Sequence, residues 1–137
     1  MAYESRTGAV LFAGNLERVA TFYSAVLGLD EANRDDDHIL LESPGFQLVV
    51  HRIVGAGTVE SGSGAQSGRR VSAAFKPVFF VPSISRLRTV ATPLGGIVES
   101  ADREWSFNGV TVCDGLDPEG NVIQFREEAR GRTRPIG

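Results

Sequence analysis

Of its 137 residues, this chain has one cysteine, Cys113, so no internal disulfide can form, and a reducing cytoplasm is the expected setting. No apolar run comes near the roughly 18 residues that span a membrane. The first residues, Met1 to Thr7, carry Glu4 and Arg6 and no apolar stretch, so no signal peptide is expected there. Positive charge is also scarce. The net charge of −3 argues against nucleic acid as the main partner, because phosphate neutralisation needs a basic surface. Lysine is nearly missing: among 14 basic residues only Lys76 is not arginine.

What is present belongs to an ordinary globular protein, with 42% apolar and 23% charged residues. A soluble intracellular domain is expected. Gly8 to Ala13 reads as a short apolar strand. Asn15 is placed to cap a helix, and Leu16, Val19, Ala20, Tyr23, Val26 and Leu27 follow at helical spacing until Gly28. Leu29 to Asp37 reads as a polar connection whose three aspartates, Asp35 to Asp37, lack the spacing and later glutamate of a calcium loop. His38–Glu42 and Phe46–Ile53 read as strands joined by the Ser43-Pro44-Gly45 turn.

Gly55 to Arg70 is rich in glycine and serine and reads as a linker. Lys76–Val81 is then a strand, Ser83 a helix cap, and Ile84, Leu87, Val90 and Ala91 a helical stripe ended by Pro93. Ile97–Glu99 and Gly109–Cys113 are weaker strands. Val122–Arg126 is a strong one, entered through the Asp117-Pro118-Glu119-Gly120-Asn121 turn.

The two halves repeat. A slide of 68 lays Val10 on Val78, Phe12 on Phe80, Asn15 on Ser83 and Gly28 on Gly96; the closing strands match at 77, with Gln47 on Gln124. The nine extra residues (77 less 68) fall most simply at Ala101–Asn108, around Trp105.

With Asn15-Leu16-Glu17-Arg18, Phe22-Tyr23, Val26-Leu27-Gly28-Leu29 and Asp117-Pro118-Glu119-Gly120-Asn121 in this order, the chain resembles the vicinal oxygen chelate superfamily, the glyoxalase / bleomycin-resistance / extradiol-dioxygenase group. The resemblance covers residues 7 to 127. It implies an α+β fold of two βαβββ modules that form a cupped mixed sheet with a cleft, and often a dimer. The expected layout is one domain over 1–137: module 1 at about 7–54, linker 55–73, module 2 at about 74–128, and a loose tail 129–137.

Metal-dependent members of that group place four ligands on the first and fourth strand of each module, where the metal stabilises charge on two neighbouring substrate oxygens. Carried over, those positions are Gly8, Gln47, Lys76 and Gln124. Gly8 has no side chain, Lys76 offers an ammonium, and two glutamines alone make a poor site. No metal and no other cofactor is expected; a divalent metal is the runner-up, with His51, four residues beyond Gln47 on the same strand face, as an irregular ligand.

Alternation puts Phe12, Gln47, Val49, Lys76, Val78, Phe80, Gln124 and Arg126 on the cupped side. The candidate ligand-binding residues are Phe12, Gln47, His51, Lys76, Phe80, Trp105 and Gln124, and none is assigned a catalytic role. Five of them also have a plain structural reading: Phe12 and Phe80 as core, His51 as a structural or half-exposed residue near a strand end, Trp105 as a core or edge residue, and Lys76 as the partner of a neighbouring acid or a side chain snorkelling out at the strand end. The expected function is metal-independent binding of an aromatic or amphipathic small molecule by a cytoplasmic homodimer, in the manner of bleomycin-resistance sequestration proteins. The alternatives are a glyoxalase-like lyase or isomerase or an extradiol-type dioxygenase with an atypical metal site, and an accessory module with no ligand.

Overall fold

The computed structural model describes residues 6–53 and 74–129, so the expected linker at 55–70 and the tail from 130 lie outside the described residues. The first half contains β1 (Thr7–Ala13), α1 (Leu16–Leu27), β2 (Asp30–Arg34), β3 (His38–Ser43) and β4 (Phe46–Arg52). The second contains β5 (Val78–Phe80), α2 (Ile84–Ala91), β6 (Ile97–Val98), β7 (Trp105–Phe107), β8 (Val110–Leu116) and β9 (Val122–Glu128). Each half forms a mixed sheet: β1-β4-β3-β2, and β5-β9-β8-β6 with β7 also on β8. Among the described residues only β1–β4 and β5–β9 run parallel, as a strand–helix crossover permits.

Both helices form where the sequence places them. Asn15 and Ser83 are extended, and their side-chain oxygens accept from the N–H of Arg18 and Arg86. Gly28 closes α1 at φ +69°, a left-handed turn that a side chain would strain. α2 stops at Ala91, and Pro93 sits in a following turn of 3₁₀ helix, since proline cannot donate to a continuing α-helix.

β2 and β7 are strands where the sequence reads as loop. Asp30–Arg34 is exposed throughout, so no alternation betrays it; backbone pairing to β3 makes it a strand, with a bulge between Glu31 and Asn33. β6 and β7 both lie antiparallel along β8, as one edge strand broken by the segment between them.

Strand pairing also corrects the repeat. Phe12 sits opposite His51 and Phe80 opposite Arg126, so the last strands are offset by 75 (126 less 51), not 77. The left-handed glycine that answers Gly28 is Gly95, at φ +92°, not Gly96. Gly96 is glycine for another reason: a Cβ there would run into the Phe22 ring. The offset is 67 where Asp30 and Ile97 meet their partners and 74 at those partners, Glu42 and Leu116, so seven residues (74 less 67) enter around β7.

The two halves share one core. Val19, Phe22, Ile39, Leu41, Val50, Ile84, Ile123 and Phe125 are all almost wholly buried within it, and α1 packs against α2. Cys113 is also buried, as expected of a small apolar side chain, and its thiol faces the Glu99 carbonyl at 3.3 Å. Burial pushes that thiol up from its ordinary pKa.

The seam between the halves is polar. Asp117, 2% exposed, accepts from the Tyr23 hydroxyl at 2.8 Å, from the N–H of Glu119 and Asn121, and from the Asn121 amide. Glu119 reaches across to the N–H of Gly14 at 3.0 Å and of Asn15 at 2.7 Å, at the start of α1. Burial and the Asp117 carboxylate together hold the Tyr23 hydroxyl well above its usual pKa, so it stays a donor.

Removing Asp117 strands several donors at once. Asp117→Ala is expected to cost about 3 kcal/mol, and Tyr23→Phe only about 1 kcal/mol, in urea unfolding. Equal small losses from both would show that the turn is not a fastening point.

Candidate functional site

Each sheet has its helix-facing side in the core and its other side open. On the first sheet, Leu48, Val50, Ile39 and Leu41 point inward, and alternation sends Val10, Phe12, Gln47, Val49 and His51 outward. Phe12 is 58% exposed, so it is not the core residue that its apolar character suggests. Its ring lies 5.5 Å from that of His51, which stacks on His38 at 6.4 Å. Gln47 stands opposite Gly8 and Glu42, and its amide donates to the Glu42 carboxylate at 3.1 Å.

The second sheet's open side is richer. Register places Phe80, Arg126, Val112 and Trp105 in one row across β5, β9, β8 and β7. Phe80 is 60% exposed and Trp105 43%, while Val112 beneath them is fully buried. Phe107 stands beside the row, with the Arg126 guanidinium carbon 5.0 Å from its ring centre and 6.0 Å from that of Phe80. The neighbouring row holds Val78, Gln124 and Asp114.

A continuous polar chain crosses these rows. Lys76 Nζ donates to Asp114 Oδ2 at 3.0 Å, Gln124 Nε2 lies 3.5 Å from Asp114 Oδ1, and Arg126 Nε donates to Gln124 Oε1 at 2.9 Å. Asp114 and Gln124 are both buried, at the floor of the open side. Lys76 is therefore the partner of a neighbouring acid, one of the plain structural readings the sequence offered for it. Gln124 corresponds by register to Val49 and not to Gln47, so the two glutamines do not occupy equivalent places.

The seven candidate residues thus fall into two groups. Phe12, Gln47 and His51 lie together on the first sheet; Lys76, Phe80, Trp105 and Gln124 lie together on the second. Arg126 was on the cupped side in the sequence but not among the candidates; its signal was its alternation with Gln124. Asp114 and Phe107 were missed, because Asp114 lies just past the strand expected at Gly109–Cys113, which runs on to Leu116, and Phe107 lies in the inserted segment.

Solved structures with this arrangement exist. One described as a glyoxalase/bleomycin resistance protein/dioxygenase family enzyme from Burkholderia phytofirmans PsJN matches with TM-score 0.66 at 20% identity, over 89% of this chain and 97% of its own. The chain has the glyoxalase/bleomycin-resistance/dioxygenase fold. A glyoxalase/bleomycin resistance protein from Albidiferax ferrireducens T118 matches with TM-score 0.61 at 16% identity, over 90% of this chain and 98% of its own. A lactoylglutathione lyase from Agrobacterium tumefaciens matches with TM-score 0.58 at 17% identity, over 92% and 95%. No family model matches the sequence, and no match is found among curated proteins.

The family resemblance drawn from the sequence implies a divalent metal in its metal-dependent members, so the donors present are tested against one. At the four carried-over positions stand a glycine, two carboxamides and an ammonium. Gln47 is bonded to Glu42, Lys76 to Asp114, and Gln124 lies between Asp114 and Arg126. Among the described residues no group of three or more His, Cys, Asp or Glu side chains is placed to hold a metal. The donor set does not fit the metal.

Thermal melting with equimolar Zn²⁺, Mn²⁺, Fe²⁺, Ni²⁺ and Mg²⁺ is therefore expected to move the transition by less than about 1 °C, since only tight binding to the native state raises it. A rise of several degrees with any one metal would contradict this assignment.

Proposed function

We propose that the protein binds a small aromatic or amphipathic molecule without a metal, holding it on the open face of the second sheet. The observation that carries this reading is the row Phe80–Arg126–Val112–Trp105, with Phe107 beside it. Three aromatic side chains are exposed on one face around fixed polar groups, which is the composition of a ligand surface and not of a solvated one. Binding alone requires affinity and no turnover, so the unfitted metal positions take nothing from it. The bleomycin resistance protein of the same fold supports this as analogy only. Among the described residues no donor arrangement favours the lyase or dioxygenase readings.

The protein acts as a homodimer in the cytoplasm on this proposal. Support for the dimer comes from Val10 and Phe12 on one open face and Val78, Phe80, Trp105 and Phe107 on the other, all exposed. A second copy laid over them would turn two open faces into a cleft. Support for the cytoplasm is the lone buried cysteine, and no helix among the described residues is long and apolar enough to cross a membrane.

The chain has a single tryptophan, so its fluorescence reports this face alone. Titration with a panel of aromatic antibiotics is expected to give saturable quenching of Trp105, lost in Phe80→Ala, with sedimentation velocity giving twice the chain mass. Uniformly silent titrations would overturn the binding reading.

A further inference from the structure

We infer that the ligand is a planar aromatic carboxylate, its charged group taken by Arg126 and its ring laid against Phe107, Phe80 and Trp105. This rests on the binding reading above and adds the ligand's charge to it. The sequence offers Lys76 as the anion site, but Asp114 already neutralises that ammonium at 3.0 Å. Arg126 is in the opposite position. Its Nε donates to Gln124, whose carboxamide is neutral, and among the described residues it makes no ion pair. Its two terminal amino groups have no protein partner there.

The polar chain explains why the guanidinium is held. Lys76 orients Asp114, Asp114 takes the Gln124 amide nitrogen, and Gln124 then turns its oxygen to Arg126 Nε. One edge of the fork is thereby fixed and the other is left for a ligand, the geometry in which arginine grips a carboxylate through two parallel bonds. The carboxylates on the same side, Asp114 and Glu128, both have partners of their own, so neither stands as a free competitor for the fork. The Phe107 and Phe80 rings, 5.0 and 6.0 Å from the guanidinium carbon, flank the same spot. A flat ring attached to the carboxylate extends over them, toward Trp105 in the same row.

The test is calorimetric titration with three probes of one shape: 2-naphthoate, neutral 2-naphthamide and cationic 2-naphthylmethylammonium. Naphthoate is expected to bind about tenfold or more tightly than the amide, the effect of one charge-assisted pair. Arg126→Gln should abolish that preference by weakening naphthoate far more than the amide, and Arg126→Lys should restore part of it. Thermal melting of each variant checks that it is folded. If amide or ammonium binds as tightly as naphthoate, or if Arg126→Gln keeps the preference, the charge assignment is wrong and the binding face stands. If no probe and no member of the antibiotic panel binds, both readings fail.

Discussion

A helix begins with N–H groups that have no partners in the helix, and each helix here meets that need with a carboxylate from elsewhere in the fold. α2 receives Glu127, from the last strand of its own module, on the N–H of Ile84 at 2.7 Å. By register the first module has Arg52 at the equivalent place, and that side chain turns instead to the Asp36 carbonyl. α1 takes its carboxylate from the other module: Glu119, held by a turn that is itself organised around Asp117. The duplication is thus broken at one point, and the two halves are joined there.

That fastening decides which surfaces remain open. With α1 against α2 and Tyr23 bonded to Asp117, both sheets give their helix-facing sides to one core. Their other sides are left to solvent, carrying aromatic residues that a folded monomer has no reason to display in a row. The second sheet adds a buried acid and amide that fix the orientation of Arg126. A cavity enclosed within one chain is not needed for such a site.

Much of this was legible in the sequence. Asn15, Gly28 and Ser83 mark the helix ends by side chains and backbone freedom that act locally, and the structure has them as expected. The outward residues followed from strand alternation. What was not legible depended on distant partners. β2 has no apolar alternation and is a strand only because β3 lies beside it. The match of Gln47 to Gln124 satisfied residue identity and alternation at once, yet strand pairing shows it to be two residues out of step. Lys76 was singled out by its rarity, but composition cannot reveal an acid 38 residues away that neutralises it.

The open face of the second sheet is the proposed binding surface. Backbone amide shifts of ¹⁵N-labelled protein during titration with 2-naphthoate test it residue by residue. With the ligand on that face, the changes concentrate at Val78–Phe80, Trp105–Phe107, Val110–Asp114 and Gln124–Arg126. Changes gathered instead at Gly14–Glu17, or in the groove between the end of α1 and α2, with the second sheet unmoved, would contradict it.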